Sequence, residues 1–300
     1  MAYLLRRRHI VASLVLAAAA LLGIIAKPSS QTPTVEEYYT SLESRVGYWG
    51  LLGNARHCGL WEIGALWPFP ISKAQRAMEE RLYTRLGLPT GSKVLDAGAG
   101  SGVVAAYMAE RGLSVQAIDL TPTHVEQAKR NVKSRGLDDR ISVRLGDYHD
   151  LAEFGGSTFD GIYTMETFVH ADHPQQVLQN FMRLLKPGGV LVLHEADFHS
   201  DSETLQEILR LSHCPNTLEN GAYEKMLEQV GFHHITVDDL TDNVLPLWRL
   251  FWILGAIPYD LLKVFGLQNR FINMMAGVET YRHWGDGRYI SVKAVKPLSL

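Results

Sequence analysis

Asp96-Ala97-Gly98-Ala99-Gly100-Ser101-Gly102 is the part of this sequence best suited to holding a ligand. Three glycines alternate behind a carboxylate, and the apolar Val94-Leu95 ahead of them reads as a buried strand that turns directly into a helix. Residues without a β-carbon let a ligand lie against the main chain, and the free N–H groups of a helix start face it. Further carboxylates follow: Asp119 ends the next apolar run, and Asp147 stands in Gly146-Asp147-Tyr148 after a third. Beyond a fourth run, Glu166 and His170 are four apart and share a face if that segment is helical. Glu166 suits acceptor positioning or charge stabilisation, and His170 suits proton removal; both also fit structural roles, as a cap hydrogen bond and a packing imidazole. His57 is a third candidate, either bordering the reacting group or anchoring its loop. His170, His173, Glu195 and Asp197 offer metal ligands, but not at a spacing that suits an octahedral site, so no metal is expected. Cys58 and Cys214 form neither a disulfide framework nor a zinc pattern.

The elements that position these residues begin past Pro89. Short apolar runs at Lys93–Asp96, Ser114–Ile118, Ile141–Arg144, Phe159–Thr164 and Gly189–His194 alternate with helical stretches at Val103–Arg111, Thr123–Ser134 and Pro174–Leu185. Such alternation predicts an α/β, doubly wound parallel sheet with ligands at its carboxyl edge. A final strand pair is expected at His234–Leu240 and Arg288–Val295. Between them residues 245–275 are rich in Trp, Phe and Leu. Pro246, Arg249, Pro258 and Asp260 interrupt the run, which therefore reads as a cover over a lipophilic ligand or a pair of packed helices, and not as a membrane span. Residues 35–90 read as a helical, aromatic cap, with a one-face stripe at Ala74, Met78, Leu82 and Leu86.

Residues 1–34 form a separate segment. Ile10–Ala26 carries no charge and follows Arg6, Arg7 and Arg8. As a helix it would measure about 25 Å, the short end of a bilayer span. The preferred reading is a single-pass N-terminal transmembrane anchor, in the endoplasmic reticulum, of unresolved topology; a cleaved signal peptide and a buried helix are the alternatives. With 29 basic and 32 acidic residues the chain has a net charge of -3 and no strongly basic balance, so no nucleic-acid partner is expected. Oligomeric state is not legible.

A third dinucleotide-type glycine would fall at position 103, which is Val103. The turn instead resembles the D-x-G-x-G-x-G turn of class I S-adenosylmethionine-dependent methyltransferases. Phe159-Asp160-Gly161-Ile162-Tyr163, Leu184-Leu185-Lys186-Pro187-Gly188-Gly189 and Gly231-Phe232 resemble that family's later strand and turn motifs. The resemblance implies a Rossmann-like, seven-stranded methyltransferase sheet and S-adenosyl-L-methionine as cofactor. It implies that Asp119 takes the ribose hydroxyls, that Asp147 and Tyr148 meet the adenine, and that Asp96, Ala97, Gly98, Gly100, Gly102, Leu120, Thr121 and Met165 surround the rest. Tyr39 and Tyr48 would close over the cofactor. Tyr48-Trp49-Gly50 and His57-Cys58-Gly59-Leu60-Trp61 are similar to sterol and tocopherol C-methyltransferases. With Tyr163–Ala171 they look closer to fungal secondary-metabolite methyltransferases, including N-methyltransferases of diketopiperazine-type pathways. The expectation is methyl transfer to a lipophilic small molecule at an N or O acceptor. A sterol or isoprenoid C-methyltransferase is the alternative, and a catalytically silent scaffold a third reading.

Overall fold

A computed structural model describes residues 33–53, 55–198, 202–215 and 221–298. The anchor expected at 10–26 lies outside the described residues, as do the side chains of Tyr48 and Asp197.

The seven strands are β1 (Lys93–Ala97), β2 (Ser114–Asp119), β3 (Ile141–Leu145), β4 (Phe159–Met165), β5 (Leu185–Phe198), β6 (His233–Asp239) and β7 (Gly287–Val295). They form one sheet in the order β3-β2-β1-β4-β5-β7-β6. β1 pairs in parallel with both β2 and β4, whereas β7 runs antiparallel to β5 and β6. Side chains alternate between the two faces of a strand, and β1 supplies both cores. Val94 packs with Met78 and Leu82 of α3 (Ile71–Leu86) and with α4 (Val103–Glu110). Leu95 and Ala97 pack with Phe181 of α6 (Pro174–Leu184) and Leu227 of α8 (Ala222–Val230) on the other face. Burial on both sides is why β1 sets Val94 and Leu95 next to each other instead of alternating apolar with polar. The remaining helices are α1 (Val35–Thr40), α2 (Leu42–Leu52), α5 (Pro122–Ser134), α7 (Glu203–Leu211), α9 (Thr241–Val264) and α10 (Ile272–Arg282).

The cap begins at Thr34, which caps α1 reciprocally with Glu37. The expected stripe of α3, Ala74, Met78, Leu82 and Leu86, is buried as predicted. The strand expected at His234–Leu240 is present as β6, in which His234 takes the left-handed region at φ 51 beside a register shift. Two expectations change. Glu166 and His170 do not share a helix face: Glu166 follows β4 at a left-handed φ of 56, and Phe168–His170 is a single 3-10 turn. The apolar insertion is not broken by its prolines; α9 runs unbroken through Pro246 and Pro258. An internal proline costs a helix about 3 kcal/mol, and packing along the length of α10 outweighs that. By length and composition α9 is the one described helix that could cross a membrane, although part of its surface is buried within the protein.

Candidate active site

β1 and β2 end side by side, so the turn after β1 and the carboxylate ending β2 meet at the carboxyl edge of the sheet. Gly98 and Ala99 donate their N–H groups to Ile118 O at 2.9 Å, folding the turn onto β2. Gly98 has φ 102, and a Cβ there would lie 2.6 Å from Thr167, whose hydroxyl donates to Ala97 O at 2.7 Å. Glycine is thus required where this turn meets the loop after β4. Gly102 serves differently: at φ 74 it caps α4, and a Cβ would stand 3.0 Å from Ala128 of α5.

Asp119 has both carboxylate oxygens committed to hydrogen bonds. Its Oδ2 accepts from Gly100 N–H at 2.8 Å, and its Oδ1 from Thr121 N–H at 2.9 Å and His124 Nδ1 at 3.1 Å. Burial alone would raise its pKa; the His124 imidazole and the two N–H groups outweigh burial and hold it below the usual carboxylate range. The other ring nitrogen of His124 meets Arg56, so the imidazole links a cap guanidinium to Asp119. Asp96 differs sharply. Its Oδ2 is buried without a close hydrogen-bond partner among the described residues, and burial, offset in part by the Tyr163 hydroxyl and reinforced by the Asp119 charge, pushes the carboxyl up to about 7.

The loop after β4 is hung from Glu195, a fully buried carboxylate on β5. It accepts from Thr164 Oγ1 at 2.6 Å and from the N–H groups of Thr167, Phe168 and Val169. Glu195 is thereby occupied as a loop anchor. Among the described residues there is no cluster of three or more side chains able to hold a metal. The loop directs Glu166 and His170 to different partners. Glu166 Oε1 accepts from Cys58 N–H at 2.6 Å and Tyr289 O–H at 2.7 Å, and burial raises its pKa. His170 Nδ1 lies 2.7 Å from His213 O, a pure acceptor, so that nitrogen carries the proton and Nε2 accepts from Tyr39 O–H at 2.9 Å. Burial pushes His170 down to about 4, so it is neutral near pH 7.

His57 sits deeper. Its Nδ1 is 2.9 Å from Cys58 O and its Nε2 is 3.5 Å from Glu79, which Arg76 also holds. Burial would lower its pKa, but Glu79 and Glu166 reverse the shift and raise it. Together these groups enclose a cavity of about 290 Å³. Of the residues expected from sequence, Tyr39, His57, Asp96, Gly98, Gly100, Asp119, Leu120, Thr121, Asp147, Tyr148, Met165, Glu166 and His170 line it. Ala97 and Gly102 do not; they shape the turn from behind. Sequence reasoning missed Arg56, His124, His149, Thr167, Asp172 and His213, which also line it. His124, in the first turn of the helix after Asp119, was within reach of a local argument; Arg56 and His213 meet the site only through the fold.

A family model described as "Methyltransferase domain" matches residues 95–193. The chain is 34% identical to the S-adenosyl-L-methionine-dependent Diels-Alderase iccD of Talaromyces variabilis, over 88% of this chain and 94% of that protein. It is 28% identical to the O-methyltransferase resE of Aspergillus sclerotiorum, over 71% of this chain and 80% of that one. Among solved structures, the cyclase SpnF superposes with a TM-score of 0.72 at 20% identity, covering 91% of this chain and 100% of that one. That last likeness concerns the fold.

Proposed function

We propose, for a chain that belongs to the class I S-adenosylmethionine-dependent methyltransferase superfamily, that it binds this cofactor and cyclises a lipophilic polyene by cycloaddition, as a tailoring step of fungal secondary metabolism. The cofactor supplies a sulfonium charge and a transferable methyl group when bound. The residues present fit it: an unpartnered buried Asp96 oxygen, a glycine turn with room at Gly100, and the Asp119 carboxylate converge on one cavity.

The likeness to a Diels-Alderase over 88% of this chain carries the choice of reaction. Five histidines line the cavity, and four of them have both ring nitrogens engaged by neighbouring groups. His170 lies between Tyr39 and His213 O, and His124 between Asp119 and Arg56; His57 has its Nδ1 on Cys58 O, while its buried Nε2, 3.5 Å from Glu79, has no hydrogen-bond partner among the described residues. His149 is held by Asp147 and the His173 N–H, and His213 by Asp172 and Pro33 O. An O acceptor needs a base, which Asp96 and not these imidazoles would supply, and an N acceptor needs an orientation that frees its lone pair. A cycloaddition moves no proton; it needs the chain folded into a near-attack arrangement with water excluded.

Methyl transfer to a lipophilic acceptor is the second reading, and Glu166 favours it. A buried carboxylate beside the cavity, oriented by Cys58 N–H and Tyr289 O–H, would stabilise the cation formed when an alkene carbon is methylated. Incubation of the protein with methyl-labelled cofactor and an extract of cells lacking its gene separates the two. Loss of a precursor to an unlabelled product of equal mass supports cyclisation. A labelled product, heavier by one CH2, overturns it in favour of methylation, and an unchanged extract overturns both.

A further inference from the structure

The two faces of α9 have opposite surroundings. One is pressed against α10: a Cβ at Gly255 would lie 2.9 Å from Val278, and one at Gly277 would lie 2.9 Å from Phe251. Tyr259 is fully buried beside this contact. On the outward face Ile253, Ile257, Leu261 and Val264 follow one another at helical spacing, and Ile257 and Val264 are 77% and 79% exposed. Between Leu250 and Phe265 the charged residues are Asp260 and Lys263, and both turn back to α10. Asp260 pairs with Arg282 at 2.8 Å, and Lys263 lies 3.7 Å from Glu279. The outward stripe therefore presents only apolar side chains over about 20 Å of helix.

The stripe continues into the cap. Arg249, one helical turn before Ile253, donates to the carbonyls of Ala65 and Leu66 at 3.3 Å, and there Leu66 and Trp67 are exposed. Contiguous apolar surface of this kind marks a contact site, since leaving it in water costs about 25 cal/mol per Å². The chain preceding the described residues indicates the occupant. Ile10–Ala26 is an uncharged apolar segment preceded by three arginines. It joins the protein at Pro33, whose carbonyl faces His213 Nδ1 at 3.2 Å just past α7, and α7 shares a core with α9 and α10. The six residues Lys27 to Thr32 span at most about 20 Å, so the apolar segment is tethered to the protein at Pro33 by a short link. A helix with one face committed to the protein, an apolar outer face and an aromatic neighbour is built to lie in a membrane interface.

We propose that the outward face of α9, together with Leu66 and Trp67, docks on a lipid bilayer and holds α9 in the plane of its interface. A nitroxide at Ile257→Cys, in a full-length chain carrying Cys214→Ser, tests this with phosphatidylcholine vesicles. Added vesicles should raise the label's accessibility to oxygen and lower its accessibility to a water-soluble nickel chelate several-fold. A label at the exposed Glu153→Cys should not change. Introducing Leu261→Glu and Val264→Glu should abolish the protection at position 257 without lowering helix content. Three outcomes overturn the proposal. Unchanged accessibility at position 257 means that the face does not meet lipid. Concentration-dependent protection without vesicles makes it an interface between two copies. Concentration-independent protection lost on deleting residues 10–26 means that the chain's own N-terminal segment covers it.

Discussion

Asp119 accepts three hydrogen bonds before any ligand arrives, so its removal leaves two main-chain N–H groups and an imidazole without an acceptor. Hydrogen bonds to a charged group contribute about 1.5–3 kcal/mol each. Asp119→Ala should therefore weaken S-adenosylhomocysteine binding at least ~10-fold by calorimetry, and a folded variant binding at the original strength would remove Asp119 from the cofactor site. Glu166→Gln keeps an oxygen for Cys58 N–H and Tyr289 O–H but loses the charge. Its folding should be nearly unchanged. Turnover should fall ~10-fold or more if a cation forms beside it, and stay near the original value if the reaction is a cycloaddition. His194 is a separate case, fully buried on β5, with neither ring nitrogen bonded among the described residues, and pushed down by burial to about 3. Its folded pKa lies below its unfolded value near 6.5, so the unfolded chain binds more protons below that pH. Stability from this group is complete above about 6.5 and is lost as pH falls toward 3. Buried carboxylates such as Asp96 and Glu195, raised to about 7, titrate in the opposite sense across the same range. The His194→Leu variant isolates the term: its stability relative to the unaltered protein should rise as pH drops from 6.5 to 5, by up to about 1.4 kcal/mol per pH unit. Equal urea midpoint shifts in both proteins would refute this.

At the scale of elements, legibility followed burial. β1 to β4 were readable because parallel strands covered on both faces are written as short apolar runs, and the glycine turn punctuates the first of them. α7 and α8 were missed; each buries a narrow face, Leu205, Ile208 and Leu211 in one and Tyr223 and Leu227 in the other, amid polar residues. The prolines of α9 misled because local propensity speaks for the isolated segment, whereas the contact with α10 belongs to the fold. That contact makes a prediction. Gly277→Ala would place a methyl 2.9 Å from Phe251 and force α9 away from α10. The loss should be about 1–3 kcal/mol in denaturant unfolding. A midpoint equal to that of the original protein would show that the helices have room to spare. The candidate site was legible where it is local, at the turn and at Asp119, and illegible where Arg56 and His213 reach it across the fold.

For the molecule as a whole, the cap and the sheet domain are joined by polar contacts at the cavity as well as by apolar packing. Tyr39 of α1 bonds His170, Arg56 bonds His124, and the Cys58 N–H bonds Glu166. Tyr39→Phe should remove one of these and leave His170 Nε2 without its donor, speeding release of S-adenosylhomocysteine ~10-fold in a displacement experiment while leaving the sheet domain's stability nearly intact. An unchanged release rate would mean that the cap moves without breaking this bond. Because Thr34, Val35 and Tyr39 wall the cavity, whatever occupies the glycine turn is fenced in by α1. Time then divides the two chemistries. An enzyme that spends its cofactor must release the spent molecule past α1 once for every product and works no faster than that release. One that only borrows the cofactor's presence can keep a single molecule through many cycles, so the residence time of the cofactor, measured against the turnover number, reports which kind of catalyst this is.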